Sequence, residues 1–213
     1  MYSDSHQKKK SAIRNPQSEM KNDIILAGVG GQGILSIAAA IGLAALENKL
    51  YMKQSEVHGM SQRGGDVQSH FRLSDKPVAS DLIPAGQADL IISVEPMESL
   101  RYLPWLSEKG WLVTNSNPYI NISEYPPAES IIDEIRKIKN NIIIDADSIA
   151  KECGSTKAGN IVVLGAASHF ISVPYTSLES SVRKLFIRKG EEIVNINLRA
   201  LKAGNEYTAG LLK

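Results

Sequence analysis

Asp23-Ile24-Ile25-Leu26-Ala27-Gly28-Val29-Gly30-Gly31-Gln32-Gly33, followed by the apolar segment Ile34–Glu47, decides how this chain folds. Residues 23–28 form a short apolar run stopped by glycine, the pattern of a buried first strand. Ile34–Glu47 is apolar on nearly every face, with Ser36 the main exception. It reads as a helix that must be covered on both sides, by its sheet and by a second element. Between them, Gly28-x-Gly30-x-x-Gly33 has the strand-to-helix context that such a loop requires. Gly28 and Gly30 let the backbone turn tightly, and Gly33 lets the helix pack close to the strand. The helix N-terminus then offers free N–H groups and a partial positive charge to a phosphate or carboxylate. Tight packing alone would also account for the glycines.

A dinucleotide-binding loop makes one further demand. An Asp or Glu should end the second strand, about 20 residues on, to hold the ribose hydroxyls. Residues 51–54 read as that strand, and the sequence there is Lys53-Gln54-Ser55-Glu56. Glu56 comes late, inside what reads as a polar loop over 55–65, Ser-Glu-Val-His-Gly-Met-Ser-Gln-Arg-Gly-Gly. That loop gathers Glu56, His58, Gln62 and Arg63 beside Gly64 and Gly65. Arg63 can pair bidentately with a carboxylate or phosphate, and Gly64-Gly65 permits an anion-binding nest of N–H groups. His58 can move a proton near neutral pH. In the plainer reading, Glu56, His58 and Arg63 bond to one another and hold a long loop together.

Downstream, residues 66–73 alternate in part and read as a half-buried strand. Residues 90–94, 111–114 (entered through Lys109-Gly110) and 141–145 read as core strands. Pro96 opens a helix, 115–127 is turn-rich, and 128–138 is helical. Asp147 is expected to cap a helix over 148–153. An apolar helix over 160–171 carries Asn160 as a cap or loop anchor, and Gly165 and Ala166 admit a close neighbour. Two amphipathic helices follow, over 177–187 and 191–207. Strands alternating with helices define an α/β class, here a three-layer α/β/α Rossmann-like sandwich with a largely parallel sheet. Residues 21–213 make a single domain, preceded by a polar, poorly ordered extension over 1–19 or an upstream start before Met20.

The chain has 213 residues, is 43% hydrophobic and carries a formal net charge of +1. Nothing in that balance attracts nucleic acid or an anionic membrane. The longest apolar run, 37–46, is half of the roughly 20 residues that span a bilayer. The single cysteine, Cys153, forms no internal disulfide and cannot hold an iron–sulfur cluster. It fits a reducing, cytoplasmic compartment. His70 and His169 lack partners at metal-binding spacing, and Asp145 with Asp147 lacks a third ligand, so no metal site is expected. Asn121-Ile122-Ser123 is a glycosylation sequon with no role in a cytoplasmic chain.

Four segments together resemble the gamma module of 2-oxoacid:ferredoxin oxidoreductases. They are Gly28 to Gly33, Ser55 to Gly65, Ala88-Asp89-Leu90-Ile91-Ile92-Ser93, and Gly159-Asn160-Ile161-Val162-Val163-Leu164-Gly165. The resemblance covers about residues 21–210. It is strongest to the indolepyruvate branch, in which this module is a separate beta subunit. It implies oxidative decarboxylation of a 2-oxoacid to an acyl-CoA, with coenzyme A as co-substrate and ferredoxin, reached through the complex, as electron acceptor. It also implies a large catalytic alpha subunit that carries the thiamine diphosphate, Mg2+ and iron–sulfur clusters, with no cofactor in this chain. The apolar helix after Gly33 and the loop 55–65 would face that subunit. Gly28, Gly30, Gly31, Gln32, Gly33, Glu56, His58, Gln62, Arg63, Gly64, Gly65 and Asn160 would contact ligand or partner, and no residue would make or break a bond. Isolated, the chain could pair with a second copy. Two other classes compete: a free-standing dinucleotide-binding oxidoreductase and a purely structural scaffold subunit.

Overall fold

The computed structural model describes residues 20–59, 64–120 and 122–213. The extension over 1–19, the site candidates Gln62 and Arg63, and Asn121 of the sequon lie outside the described residues. The elements run β1 (Lys21–Val29), α1 (Ile34–Glu47), β2 (Tyr51–His58), β3 (Asp66–Ser74), β4 (Ala88–Ser93), α2 (Pro96–Arg101) and β5 (Leu106–Asn115). They continue with α3 (Ala128–Arg136), β6 (Asn141–Ile144), α4 (Ala146–Glu152), α5 (Gly159–Ala167), α6 (Tyr175–Phe186) and α7 (Glu191–Leu211). Among the described residues no helix is long and apolar enough to cross a membrane.

The six strands form one sheet in the order β2-β3-β1-β4-β5-β6. β1, β4, β5 and β6 are parallel neighbours, while β3 runs antiparallel to both β1 and β2. The sheet is thus mostly parallel with an antiparallel hairpin on one edge. β1 is buried on both sides, which is why it reads as a continuous apolar run. Ile24 and Leu26 face a core built with α1, α4, α5, α6 and α7, whereas Ile25 and Ala27 face a smaller core with α2 and α3. Three layers follow.

The second cover for α1 comes from this chain. α6 packs on it, Asn48 Nδ2 bonds Ser177 Oγ at 2.8 Å, and Glu47 pairs with Lys184. The sequence reading looked to another subunit for that cover; α6 of the same chain supplies it. Only Leu35 and Leu46 stay exposed among its large apolar residues.

The hairpin departs most from the sequence reading. β2 runs to His58, so Ser55, Glu56, Val57 and His58 lie in a strand and not in a loop. Backbone pairing with β3, from Tyr51 opposite Ser74 to His58 opposite Val67, holds them there. As an edge strand, β2 buries neither face fully, so its sequence carries no alternation to read. β5 starts at Leu106 and contains Lys109 and Gly110. A Cβ at Gly110 would stand 2.7 Å from the Ala88 carbonyl oxygen, so glycine serves a close strand approach there and not a turn. α4 begins two residues early, at Ala146, capped by Asp145, which accepts from Ser148 N–H at 3.0 Å and Ser148 Oγ at 2.7 Å. Asp147 is not the cap. α5 stops at Ala167, where a short 3-10 turn over Ser168–Phe170 takes over.

Buried Glu95 ties the loop after β5 onto α2. It accepts from Glu98 N–H at 2.8 Å, from Tyr119 N–H at 3.2 Å and from the Tyr125 hydroxyl. On β3, His70 is buried against the edge of Trp105, and its Nδ1 accepts from Ile83 N–H at 3.0 Å. Burial holds its pKa below the ordinary 6.5. The folded state favours the neutral ring, so below that ordinary value the unfolded chain binds more protons and stability falls as pH drops. The urea midpoint is expected to be lower at about pH 5.5 than at about pH 7.5. His70→Gln should flatten part of that difference; an unchanged slope would refute the assignment.

Candidate functional site

The glycine loop is held by its own glutamine. Gln32 Oε1 accepts from Val29 N–H at 2.8 Å, and Gln32 N–H returns to Val29 O at 3.1 Å. Gln32→Ala leaves the Val29 N–H without its partner and is expected to lower stability by about 1–2 kcal/mol in urea unfolding. No loss would show that the loop holds its shape without the staple.

The structure reassigns two of the glycines. A Cβ at Gly28 would stand 2.4 Å from Val94 Cγ2 and 2.9 Å from Ile34 Cδ1, so Gly28 is what lets β1, β4 and α1 close up. Gly33 is left-handed (φ 84°), and a Cβ there would meet Asn160 Nδ2 at 2.5 Å. Its close neighbour is α5, not the strand. Asn160 sits inside α5, whose N-cap is Ala158, and donates from Nδ2 to the Gly33 carbonyl at 3.0 Å. It is a loop anchor and not a cap. Gly30 N–H is already taken by Gly65 O at 2.8 Å, which docks the hairpin tip against the glycine loop.

Beyond the carboxyl ends of β1, β4 and β5 lies a cleft of about 420 Å³. α1 and α2 leave neighbouring parallel strands for opposite faces of the sheet there, which is where ligands bind in open α/β folds. Gly31, Gln32 and Gly33 form one wall, Gly159 and Asn160 another, so the N-termini of α1 and α5 both border the space. Gly31 and Gly33 N–H have no acceptor among the described residues. Lys157 and Lys189 line the cleft and have no carboxylate partner among the described residues. Lys189 Nζ stands 5.3 Å over the Phe186 ring. One carboxylate, Asp147, is present, accepting from Asn115 Nδ2 at 3.3 Å. Two lysines and two partly positive helix ends outweigh one carboxylate, so the cleft suits an anion.

Of the residues singled out in the sequence, the structure gathers Gly28, Gly30, Gly31, Gln32, Gly33, Gly65 and Asn160 around one loop. Gly64, left-handed at φ 78°, is next to them. Glu56 and His58 lie elsewhere, two residues apart on one face of the edge strand and paired with each other. Lys157, Lys189, Asp147 and Asn115 carried no local signal, because they meet the glycine loop only through the fold. Among the described residues no group of three His, Cys, Asp or Glu could hold a metal ion.

The chain belongs to the pyruvate ferredoxin/flavodoxin oxidoreductase family, whose match spans residues 23–207. Within it, the chain is 38% identical over 201 residues to the indolepyruvate oxidoreductase subunit IorB of Archaeoglobus fulgidus, covering 90% of this chain and 98% of that one. To the subunit of the same name from Methanothermobacter thermautotrophicus it is 34% identical, covering 87% and 96%. The fold recurs in pyruvate oxidoreductase subunit PORC of Thermotoga maritima, with TM-score 0.68 and 24% identity over 87% of this chain and 96% of that one. It recurs also in 2-oxoglutarate:ferredoxin oxidoreductase from Magnetococcus marinus, with TM-score 0.70 and 21% identity, covering 89% of this chain but 31% of that one. The same unit is thus a separate chain in one protein and part of a longer chain in another.

Proposed function

We propose that this chain is the beta-type subunit of an indolepyruvate:ferredoxin oxidoreductase. The complex would convert 2-oxoacid, coenzyme A and oxidised ferredoxin to acyl-CoA, CO2 and reduced ferredoxin. The observation that carries the reading is the 38% identity over 98% of the Archaeoglobus subunit. The partner is a large alpha subunit bearing thiamine diphosphate, Mg2+ and iron–sulfur clusters, in the cytoplasm. Thiamine diphosphate supplies the stabilised carbanion chemistry of decarboxylation. This chain's one cysteine, buried Cys153, does not fit a cluster. Its contribution is to hold anionic groups at the glycine loop and the docked hairpin tip, where the phosphates of coenzyme A are the natural occupant.

The topology argues against a free-standing dinucleotide enzyme. β3 stands between β1 and β2, so the end of β2 is about 10 Å from β1 instead of about 5 Å. No ribose-holding acid can reach the loop from there in the usual way.

Co-expression with the large subunit tests the proposal. Activity is expected with indolepyruvate, above phenylpyruvate and pyruvate, and only in the assembled complex. Arg63→Ala is expected to raise the KM for coenzyme A about tenfold, the effect of one lost charge-assisted hydrogen bond. If KM, turnover and subunit association all stay unchanged, the loop does not hold coenzyme A and a scaffold role remains. Oxidation of any substrate by the purified chain with a bound nicotinamide or flavin would overturn the subunit reading altogether.

A further inference from the structure

β2 is one edge of the sheet, and among the described residues no strand lies beyond it. Its outward groups can be named. Gly59 N–H donates to the Asp66 carbonyl at 2.8 Å, and along an antiparallel ladder bonded residues alternate with residues turned the other way. Counting back through the register with β3, the residues that bond β3 are Val57, Ser55, Lys53 and Tyr51. The backbone N–H and C=O groups of Met52, Gln54, Glu56 and His58 therefore point away from the sheet, a template for another strand. The opposite edge is guarded. β6 has only 4 residues, and the Tyr207 hydroxyl donates to its Ile143 carbonyl at 2.8 Å. On β2 the charges that could guard the edge are drawn off. Lys53 Nζ turns back to the Ala79 carbonyl at 3.0 Å, and Glu56 pairs with His58 along the same strand. Tyr51 (51% exposed) and Val57 (59% exposed) leave two large apolar side chains uncovered on one face of β2.

We propose that β2 pairs antiparallel with β2 of a second copy of this chain, across a two-fold axis at Gln54, joining two 6-stranded sheets into one. Such an axis sets one residue of the strand against itself. Lys53 or Glu56 at the axis would place like charges directly opposite, which is destabilising. Ser55 at the axis would set Tyr51 against Gly59 and Val57 against Lys53, leaving the apolar side chains unmatched. With Gln54 at the axis, Tyr51 of each copy stands opposite Val57 of the other. These are positions without a backbone bond across the new ladder, where facing side chains come closest, and an aromatic beside a β-branched residue is a favourable pair. Met52 then faces Glu56, and Lys53 faces Ser55. The outward groups of Met52, Gln54 and Glu56 make about six backbone hydrogen bonds across the axis. One strand pair is a small interface, so the dimer is a weak one, with a Kd on the order of tens of micromolar. The inference concerns the chain with itself and stands or falls separately from the subunit reading, since it needs neither the large subunit nor coenzyme A.

Sedimentation equilibrium of the purified full chain, from about 5 to about 500 µM, tests it and is expected to show a monomer–dimer equilibrium. Val57→Lys places an ammonium opposite Tyr51 and near Lys53 of the other copy. It should weaken association at least tenfold and leave the fold intact, Val57 being exposed. Gln54→Cys should cross-link two copies on mild oxidation, because facing Cα atoms of a bonded pair stand about 5.5 Å apart, within disulfide reach. Ser55→Cys should not, since Ser55 faces Lys53 of the other copy and the two sites at 55 lie more than about 7 Å apart. Cys153 is buried and does not compete. Should Gln54→Cys fail to fold, the comparison of Val57→Lys with the unaltered chain answers the same question. A monomer throughout that range, association unchanged by Val57→Lys, or cross-linking of Ser55→Cys in place of Gln54→Cys would each overturn the proposal. So would a chain that is monomeric alone and whose Met52, Gln54 and Glu56 N–H groups become protected from hydrogen exchange only when the large subunit binds, because the occupant of the edge would then be that subunit.

Discussion

Gly204→Ala is expected to be among the most damaging single-methyl additions to this chain, at about 3 kcal/mol of lost stability. α5 and α7 cross at Gly165 and Gly204. A Cβ at Gly204 would stand 2.0 Å from the Val162 carbonyl oxygen and 2.7 Å from Ala166 N, and one at Gly165 would stand 2.1 Å from the Leu201 carbonyl oxygen. These are backbone atoms within helices and cannot rotate aside. The helices would have to separate, loosening Ile161, Val162, Ala200 and Leu201, each fully buried. Separation would also strain the bond from Thr208 Oγ1 to the Ala166 carbonyl, 2.9 Å, and that from Asn205 Nδ2 to Ser168 Oγ, 2.8 Å. Urea unfolding of Gly204→Ala against Gly210→Ala measures the effect. Gly210 is on the same helix with nothing near its missing Cβ, so alanine there should gain about 0.5–1 kcal/mol from helix propensity. If both variants gain stability, the close crossing does not exist in solution.

The second large effect concerns a buried ion pair on the hairpin side. Asp23 is fully buried, and Arg72 reaches it with two bonds, Nε to Oδ1 at 2.8 Å and an Nη to Oδ2 at 3.0 Å. Arg72 also donates to the Ser80 carbonyl at 3.1 Å and the Leu82 carbonyl at 2.9 Å, so it ties the loop after β3 to the sheet. Removing one partner of a buried pair typically costs about 3–5 kcal/mol. Arg72→Met should fall at the lower end, about 3 kcal/mol, because Lys21 Nζ remains 2.6 Å from Asp23 Oδ2. The double variant Asp23→Asn with Arg72→Met should lose less than the sum of the two single variants, because the stranded charge is gone. Strict additivity in urea unfolding would mean that the two side chains do not interact.

Elements buried on one or both faces were legible in the sequence because burial writes itself into residue type. β1, β4 and β6 appear as apolar runs, and α1 was bounded at both ends as Ile34–Glu47. The strand over 55–58 was not legible, because an exposed edge strand has no hidden face and is defined by its pairing with β3. Gly110 and Gly33 were misread for a related cause. A glycine announces that something comes close, but the neighbour, Ala88 in one case and Asn160 in the other, is distant in the chain. The glycine-loop half of the candidate site was visible as a motif. The lysine half was not, since Lys157 and Lys189 are ordinary surface residues until α5 and α6 bring their flanks beside Gly31.

The sequence by itself determined the α/β class, the glycine turn between β1 and α1, and membership of the family, because each depends on residue types that are neighbours along the chain. Tertiary structure alone decided that β3 displaces β2 from its place beside β1, that α6 covers α1, and that Lys157 and Lys189 meet the loop. The physical reason is common to all three. They depend on which buried faces find each other in space, and strand pairing and helix packing join residues whose order along the chain holds no record of the match.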